Sequence, residues 1–176
     1  MTAEIICVGT ELLLGDILNT NAQFLSRELA ELGISVLHQH VIGDNPARLK
    51  ELVLQAKSRS DLLVFSGGLG PTEDDLTKEM VCQVMGDELV MMDEVMSELE
   101  SYFEKLGRPM TENNKKQAYV PSRAEVFINH EGSAPGFALE KDGKYVICMP
   151  GPPREMTSMF EDSVMPYLQS MSEDVI

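Results

Sequence analysis

Three short apolar runs, each followed by apolar residues at helical spacing, fill the first 85 residues, and this alternation constrains the fold more than any other feature. "EIICV" (4–8) precedes a stretch with Ala22, Leu25, Leu29 and Leu32 on one face, closed by Gly33. That spacing predicts a strand, a loop and a helix that stops at the glycine. "ISVLHQHV" (34–41) reads as a second strand. Asn45 and Pro46 then form an N-cap and first-turn pair, opening a helix with Leu49, Leu52, Val53 and Ala56 on one face. "DLLVF" (61–65) is a bare apolar run of the kind covered on both faces, and Leu76, Met80 and Val84 mark the helix beyond it. Strands alternating with helices imply a mostly parallel sheet joined by right-handed crossovers.

The second half is less regular. "MMDEVMSELESYFEKLG" (91–107) predicts a long acidic helix, and the polar "RPMTENNKKQ" after it reads as part of an insertion or lid. "AEVFIN" (124–129) and "KYVICMP" (144–150) read as strands flanking a turn at "EKDGK", with Asp142 and Gly143 at the bend. An antiparallel hairpin is therefore expected to join the sheet. A last helix is expected over "REMTSMFEDSVMPYL". The length, 176 residues, suits one well-cored domain, assigned to 1–170, with 171–176 as a polar tail or the start of a linker.

Charge narrows the function. With 29 acidic against 14 basic residues the formal net charge is −15, the wrong sign for a polyanion, so nucleic acid is not an expected partner. No apolar run approaches the roughly 18 residues of a membrane span, so no membrane association is expected. The first residues lack a basic n-region and a small-residue cleavage pattern, which points to the cytoplasm. Cys7, Cys82 and Cys148 form no CxxC pair and read as core thiols.

The chemistry is expected where ligands bind in open parallel sheets, beyond the carboxyl ends of the strands. The loops "GTELLLGDILNTN", "IGDN" and "SGGLGPTEDD" would gather there, and each contains carboxylates. Gly67, Gly68 and Gly70 let backbone N–H groups approach a phosphate, although the Walker A lysine and GxGxxG are both absent. Asp74 and Asp75 either complement a helix N-terminus or, with Glu11 or Asp44, hold a divalent cation against the phosphate. Mg²⁺ is the first choice, with Mn²⁺ or Co²⁺ as alternatives. Asn19 and Asn21 bracket the first helix as caps or ligand contacts, Ser66 and Thr72 flank the glycines, and Arg154 follows "GPP" near a helix start where it could face phosphate. Ser66 lacks a GxSxG elbow, so it is a contact and not a nucleophile. His38 and His40 share one face of a strand with no partner visible in sequence, and read as structural or surface residues.

Taken together, "GTELLLGDILNTNAQFLSRELAELGI", "SGGLGPTEDDLTKE", "NKKQAYVP", "NHEGSAPGF" and "MPGPPREM" resemble the N-terminal domain of the CinA family, related to the molybdopterin-binding fold of MogA and MoaB. The resemblance covers nearly the whole chain. It implies a three-layer α/β/α fold and a metal-dependent pyrophosphatase that converts ADP-ribose to AMP and ribose 5-phosphate, acting as a dimer or trimer. By motif match the glycine loop would lie near the phosphates, and Asp44 and Asp75 would hold the carboxylate positions shared with molybdopterin binders. Glu11 belongs to the matching GTELL segment, and Asn113, Lys116 and Gln117 to NxxKQ. Full-length members continue into a linking domain and a nicotinamide mononucleotide deamidase domain, so no deamidase activity is expected of this chain. Ser66 and Ser133 replace threonines and keep the hydroxyl; Arg123 replaces a glycine, a change expected to alter that loop if the position needs a positive φ. The alternatives are a molybdopterin-binding or adenylating protein of molybdenum cofactor biosynthesis, and a non-catalytic nucleotide-binding module.

Overall fold

A computed structural model describes residues 1–173. β1 (Thr2–Val8) leads through a short α1 (Thr10–Leu13) into α2 (Thr20–Glu31), and β2 (Ser35–Ile42), α3 (Pro46–Arg59), β3 (Leu62–Ser66) and α4 (Thr77–Met85) complete the alternation. β4 (Leu89–Met91), α5 (Asp93–Leu106), α6 (Glu112–Lys115), a 3₁₀ turn at Lys116–Ala118 and β5 (Tyr119–Pro121) come next. β6 (Glu125–Phe127), β7 (Gly136–Lys141), β8 (Lys144–Met149), α7 (Pro153–Met159), a π-helical turn at Phe160–Val164 and α8 (Met165–Glu173) close the described chain.

The main sheet has the order β2-β1-β3-β8-β7-β6. β2, β1, β3 and β8 run parallel, and β7 is antiparallel to both of its neighbours. Side-chain alternation divides the core between the two faces of this sheet. Ile5, Cys7, Leu62, Val64, Ile147 and Met149 pack against α2 and the α7–α8 segment; Ile6, Leu63, Phe65, Val146 and Cys148 pack against α3 and α4. Three layers result, as the family resemblance implied, around the mostly parallel sheet that the alternation of runs implied. All three cysteines are buried free thiols.

Several elements differ from the sequence expectation. The turn at Asp142 and Gly143 has positive φ at both residues, but the strand on its N-terminal side is β7, not the 124–129 segment. β6 is shorter than expected and lies outside β7 as the sheet edge, while β8 pairs with β3 as well as β7. The 91–107 helix begins at Asp93, because Leu89–Met91 forms a strand with Tyr119–Pro121. That two-stranded sheet and α5 turn the insertion into a packed unit with a small core of Val95, Leu99 and Ala118. The last helix carries a π-helical turn and continues to Glu173, so residues 171–173 are helical and not tail; residues 174–176 of the expected tail lie outside the described residues. Asp142 is the only non-glycine with positive φ among the described residues. Arg123 therefore needs no glycine backbone; its Nε lies 3.5 Å from Asp87 Oδ2.

Candidate functional site

Chain order changes side between β1 and β3: β2 lies on one flank of β1 and β3 on the other. Such a switch point opens a crevice beyond the strand ends. A cleft of about 450 Å³ lies there, walled by the loops after β1, β2, β3 and β8 and by residues of the insertion. Its volume is in the range of small-molecule sites.

The loop after β3 forms its floor. Gly67 donates its N–H to Met149 O at 3.0 Å, which keeps the loop in step with β8 but removes that amide from ligand binding. Gly68 has φ +72°, and a Cβ there would collide with Thr77 Oγ1, so the position requires glycine. Thr77 in turn donates to Gly67 O at 2.9 Å. Among the described residues, the N–H groups of Gly68, Leu69 and Gly70 donate to no protein acceptor. Three successive amides without a protein acceptor on a cleft wall are available to an anion.

The carboxylates come from three different loops. Glu11 and Asp44 line the cleft from the β1 and β2 loops, and Asp75 from the β3 loop. Asp44 Oδ2 accepts from Thr10 Oγ1 at 3.1 Å. Asp75 Oδ2 accepts from Thr72 N–H at 3.0 Å and Thr72 Oγ1 at 2.6 Å, so Thr72 positions a carboxylate and does not itself line the cleft. Lys116 Nζ fastens the same turn by donating to Thr72 O at 2.8 Å and Asp75 O at 2.5 Å. Lys78, buried below, donates to Lys116 O and Tyr119 O; burial lowers its pKa to about 8.

Two buried amides complete the wall. Asn21, 8% exposed, donates from Nδ2 to Ser66 Oγ and to Gly151 O, both at 2.7 Å. Gln117, 1% exposed, donates from Nε2 to Ser133 Oγ at 3.0 Å. Asn21 Oδ1 and Gln117 Oε1 are left without a hydrogen bond. A buried acceptor without a donor costs about 1–3 kcal/mol, so each amide is retained for the hydrogen bonds its N–H groups make along the wall. Asn19 lines the cleft and caps α2, accepting from Ala22 N–H at 3.3 Å.

Five expected residues lie outside the lining: Thr72 and Lys116, which hold the Asp75 turn from behind, and Asp74, Asn113 and Arg154. Asp74 is exposed and does not line the cleft, whereas its neighbour Asp75 does. Asn113 is exposed on α6 and also outside the lining. Arg154 is directed to Glu131, with Nε 2.8 Å from Oε2. Conversely, Glu155 and the backbone at Pro150 and Gly151 line the cleft although composition and spacing gave no sign of them; the "MPGPPREM" match was the only signal. The two histidines also gain a partner: His38 Nε2 and His40 Nε2 each lie 3.7 Å from the buried Glu4 carboxylate, which Arg59 Nε approaches at 2.5 Å.

Among the described residues no group of three or more His, Cys, Asp or Glu side chains is gathered as a metal cage. The donors do not suit a resident metal held by protein alone. They suit an ion that shares its coordination between one or two carboxylates and a bound phosphate, the habit of Mg²⁺.

An α/β/α domain with a glycine-rich loop of unpaired amides and acidic walls at its switch point has the architecture of small-ligand-binding proteins. A family model described as "Probable molybdopterin binding domain" matches residues 4–170. A competence-damage inducible protein of Caldicellulosiruptor saccharolyticus is 55% identical over all 176 residues, which span 43% of that relative. A crystal structure of the CinA protein of Thermoplasma acidophilum, described as of unknown function, is 33% identical with a TM-score of 0.83, covering 99% of this chain and 98% of that one. The molybdopterin biosynthesis enzyme MoaB of Thermus thermophilus shares the fold, with a TM-score of 0.62 at 17% identity over 94% of this chain and 89% of its own. The chain belongs to this molybdopterin-binding domain family, on its CinA branch.

Proposed function

We propose that this domain is a metal-dependent hydrolase that cleaves the pyrophosphate of ADP-ribose, or of a similar nucleotide diphosphate, giving AMP and ribose 5-phosphate. The observation that carries this reading is the meeting of three free amides, at Gly68, Leu69 and Gly70, with Glu11, Asp44 and Asp75 in one cleft. Amides alone suit any anion; amides beside carboxylates suit an anion accompanied by a cation. Asp75, with Asp44 or Glu11, would hold a divalent ion, and that ion supplies charge neutralisation and an acidified water when bound. The loop N–H groups hold the phosphate oxygens and stabilise charge growing on them. Asn21 and Gln117 brace the wall from behind through Ser66, Gly151 and Ser133, and the exposed apolar Ile17 and Leu18 at the mouth offer a surface to a base.

The family's description favours a second reading, a pterin-binding site in the same cleft. Chromatographic product analysis separates the two. With ADP-ribose and Mg²⁺, Mn²⁺ or Co²⁺, the expected result is metal-dependent AMP, reduced at least about 100-fold in Asp75→Asn. Intact ADP-ribose in every tube would overturn the hydrolase reading and leave the pterin site or a non-catalytic nucleotide-binding module. Wild-type turnover by Asp75→Asn would remove Asp75 from the site.

A further inference from the structure

Glu155 is a carboxylate of the cleft wall that the proposed reaction leaves without a task. It occupies the third position of α7, whose N-cap is Pro152. From that position a glutamate ordinarily reaches back to the N-cap N–H, but proline has none. The side chain turns instead to Asn129, whose Nδ2 donates to Glu155 Oε1 at 2.8 Å and to Ala134 O at 2.9 Å. Gly132 lies so close that a Cβ there would overlap the same oxygen. The carboxyl is therefore oriented from two sides, while among the described residues its other oxygen accepts no protein hydrogen bond.

Its charge is also left unbalanced. Arg154, its sequence neighbour, pairs with Glu131. Glu11, Asp44 and Asp75, the other ionisable groups lining the cleft, are all acidic. Burial raises the Glu155 pKa above the ordinary glutamate value; the Asn129 hydrogen bond opposes this, and the nearby Glu131 charge adds to it. An oriented, partly desolvated carboxyl without a cation has the attributes of a group that exchanges protons during turnover.

We propose that Glu155 is the general base of the hydrolysis, taking a proton from the water that attacks one phosphorus of the pyrophosphate. The role rests on the hydrolase reading. The water oxygen forms the new P–O bond, the bridging P–O bond breaks with its electron pair on the departing phosphate, and the proton moves to Glu155 and then to solvent. Asp75, Asp44 and Glu155 each have one oxygen held, by Thr72, Thr10 and Asn129 respectively, and one without a protein hydrogen bond. Glu155 is set apart because the proposed reaction gives the two aspartates to the divalent ion and leaves Glu155 for the water.

The test combines kcat–pH profiles for ADP-ribose with Mg²⁺ and calorimetric AMP affinity, in wild type, Glu155→Gln and Glu155→Asp. Wild type is expected to show a rate that rises with pH as the carboxyl loses its proton. Glu155→Gln should keep AMP affinity, lose that limb and lower kcat by about 10²–10⁴-fold. Glu155→Asp should keep the limb at a reduced rate, which covers the case of a glutamine variant that does not fold. A folded Glu155→Gln enzyme with wild-type kcat and an intact limb overturns the proposal, as does one whose rate falls only in step with its AMP affinity. Wild-type protein that forms no AMP under any metal overturns the reaction itself, and this role with it.

Discussion

Asn21 shows how much one side chain can decide. Both of its amide hydrogens are committed to Ser66 and Gly151, so its oxygen is buried without a partner behind the cleft wall, and the amide cannot be flipped without facing Gly151 O with another acceptor. Asn21→Leu should weaken AMP binding by about tenfold, read by calorimetry, because the hydrogen bonds that tie α2 to Ser66 and Gly151, each of about 1 kcal/mol, are lost and the loops after β3 and β8 loosen. Asp61 makes a separate prediction far from the cleft. The Thr2 N–H, 2.8 Å from Asp61 Oδ2, is the main reason its pKa is lowered. A lowered carboxyl pKa stabilises the fold above the unfolded value and ceases to do so as pH falls through the folded one. In urea unfolding, wild type should therefore lose stability more steeply than Asp61→Asn below about pH 4. A parallel decline in both proteins would contradict the assignment.

Among the elements, the loop between β3 and α4 bears the most constraint. Gly68→Ala places a side chain at positive φ and against Thr77, and should destabilise the domain by about 1–3 kcal/mol while abolishing nucleotide binding. Phe65→Ala, in the fully buried β3, should cost about 3–5 kcal/mol in thermal or urea unfolding and leave the cleft residues in place in whatever fraction stays folded. The same elements show what could be read from sequence. β1, α2, β2, α3, β3 and α4 were legible because each follows its own period and ends on a glycine, a proline or a cap. β4 and β5 were not, since three-residue strands such as Leu89–Met91 have no period and exist through pairing across about 30 intervening residues. β7 was missed because "GFALEK" reads equally as loop or helix until β8 pairs with it. Glu11, Asp44 and Asp75 were legible as acids in loops at strand ends; Glu155 was not, because its place depends on Asn129 and Gly132, more than twenty residues away.

At the scale of the whole molecule the acidic balance and the cleft oppose each other. A chain of net charge −15 repels a nucleotide diphosphate, and four of its carboxylates line the cleft proposed to hold one. Under the proposed function a divalent ion would offset that repulsion locally, and salt would relieve it at long range. Raising ionic strength from about 0.01 to 0.15 M shortens the Debye length from about 30 to 8 Å, so the KM for ADP-ribose should fall, the reverse of a polyanion-binding protein. Among the described residues no helix is long and apolar enough to cross a membrane.

Under the proposed function nucleotide phosphate lies on the amides of residues 68–70, and amide-resolved NMR during titration with AMP, which the proposed hydrolysis does not consume, tests this most directly. The backbone resonances of Gly68, Leu69 and Gly70 and the side-chain amides of Asn21 and Gln117 should move together and saturate at one concentration. Resonances that stay fixed there while others shift, such as those along β2 beside His38 and His40, would contradict it.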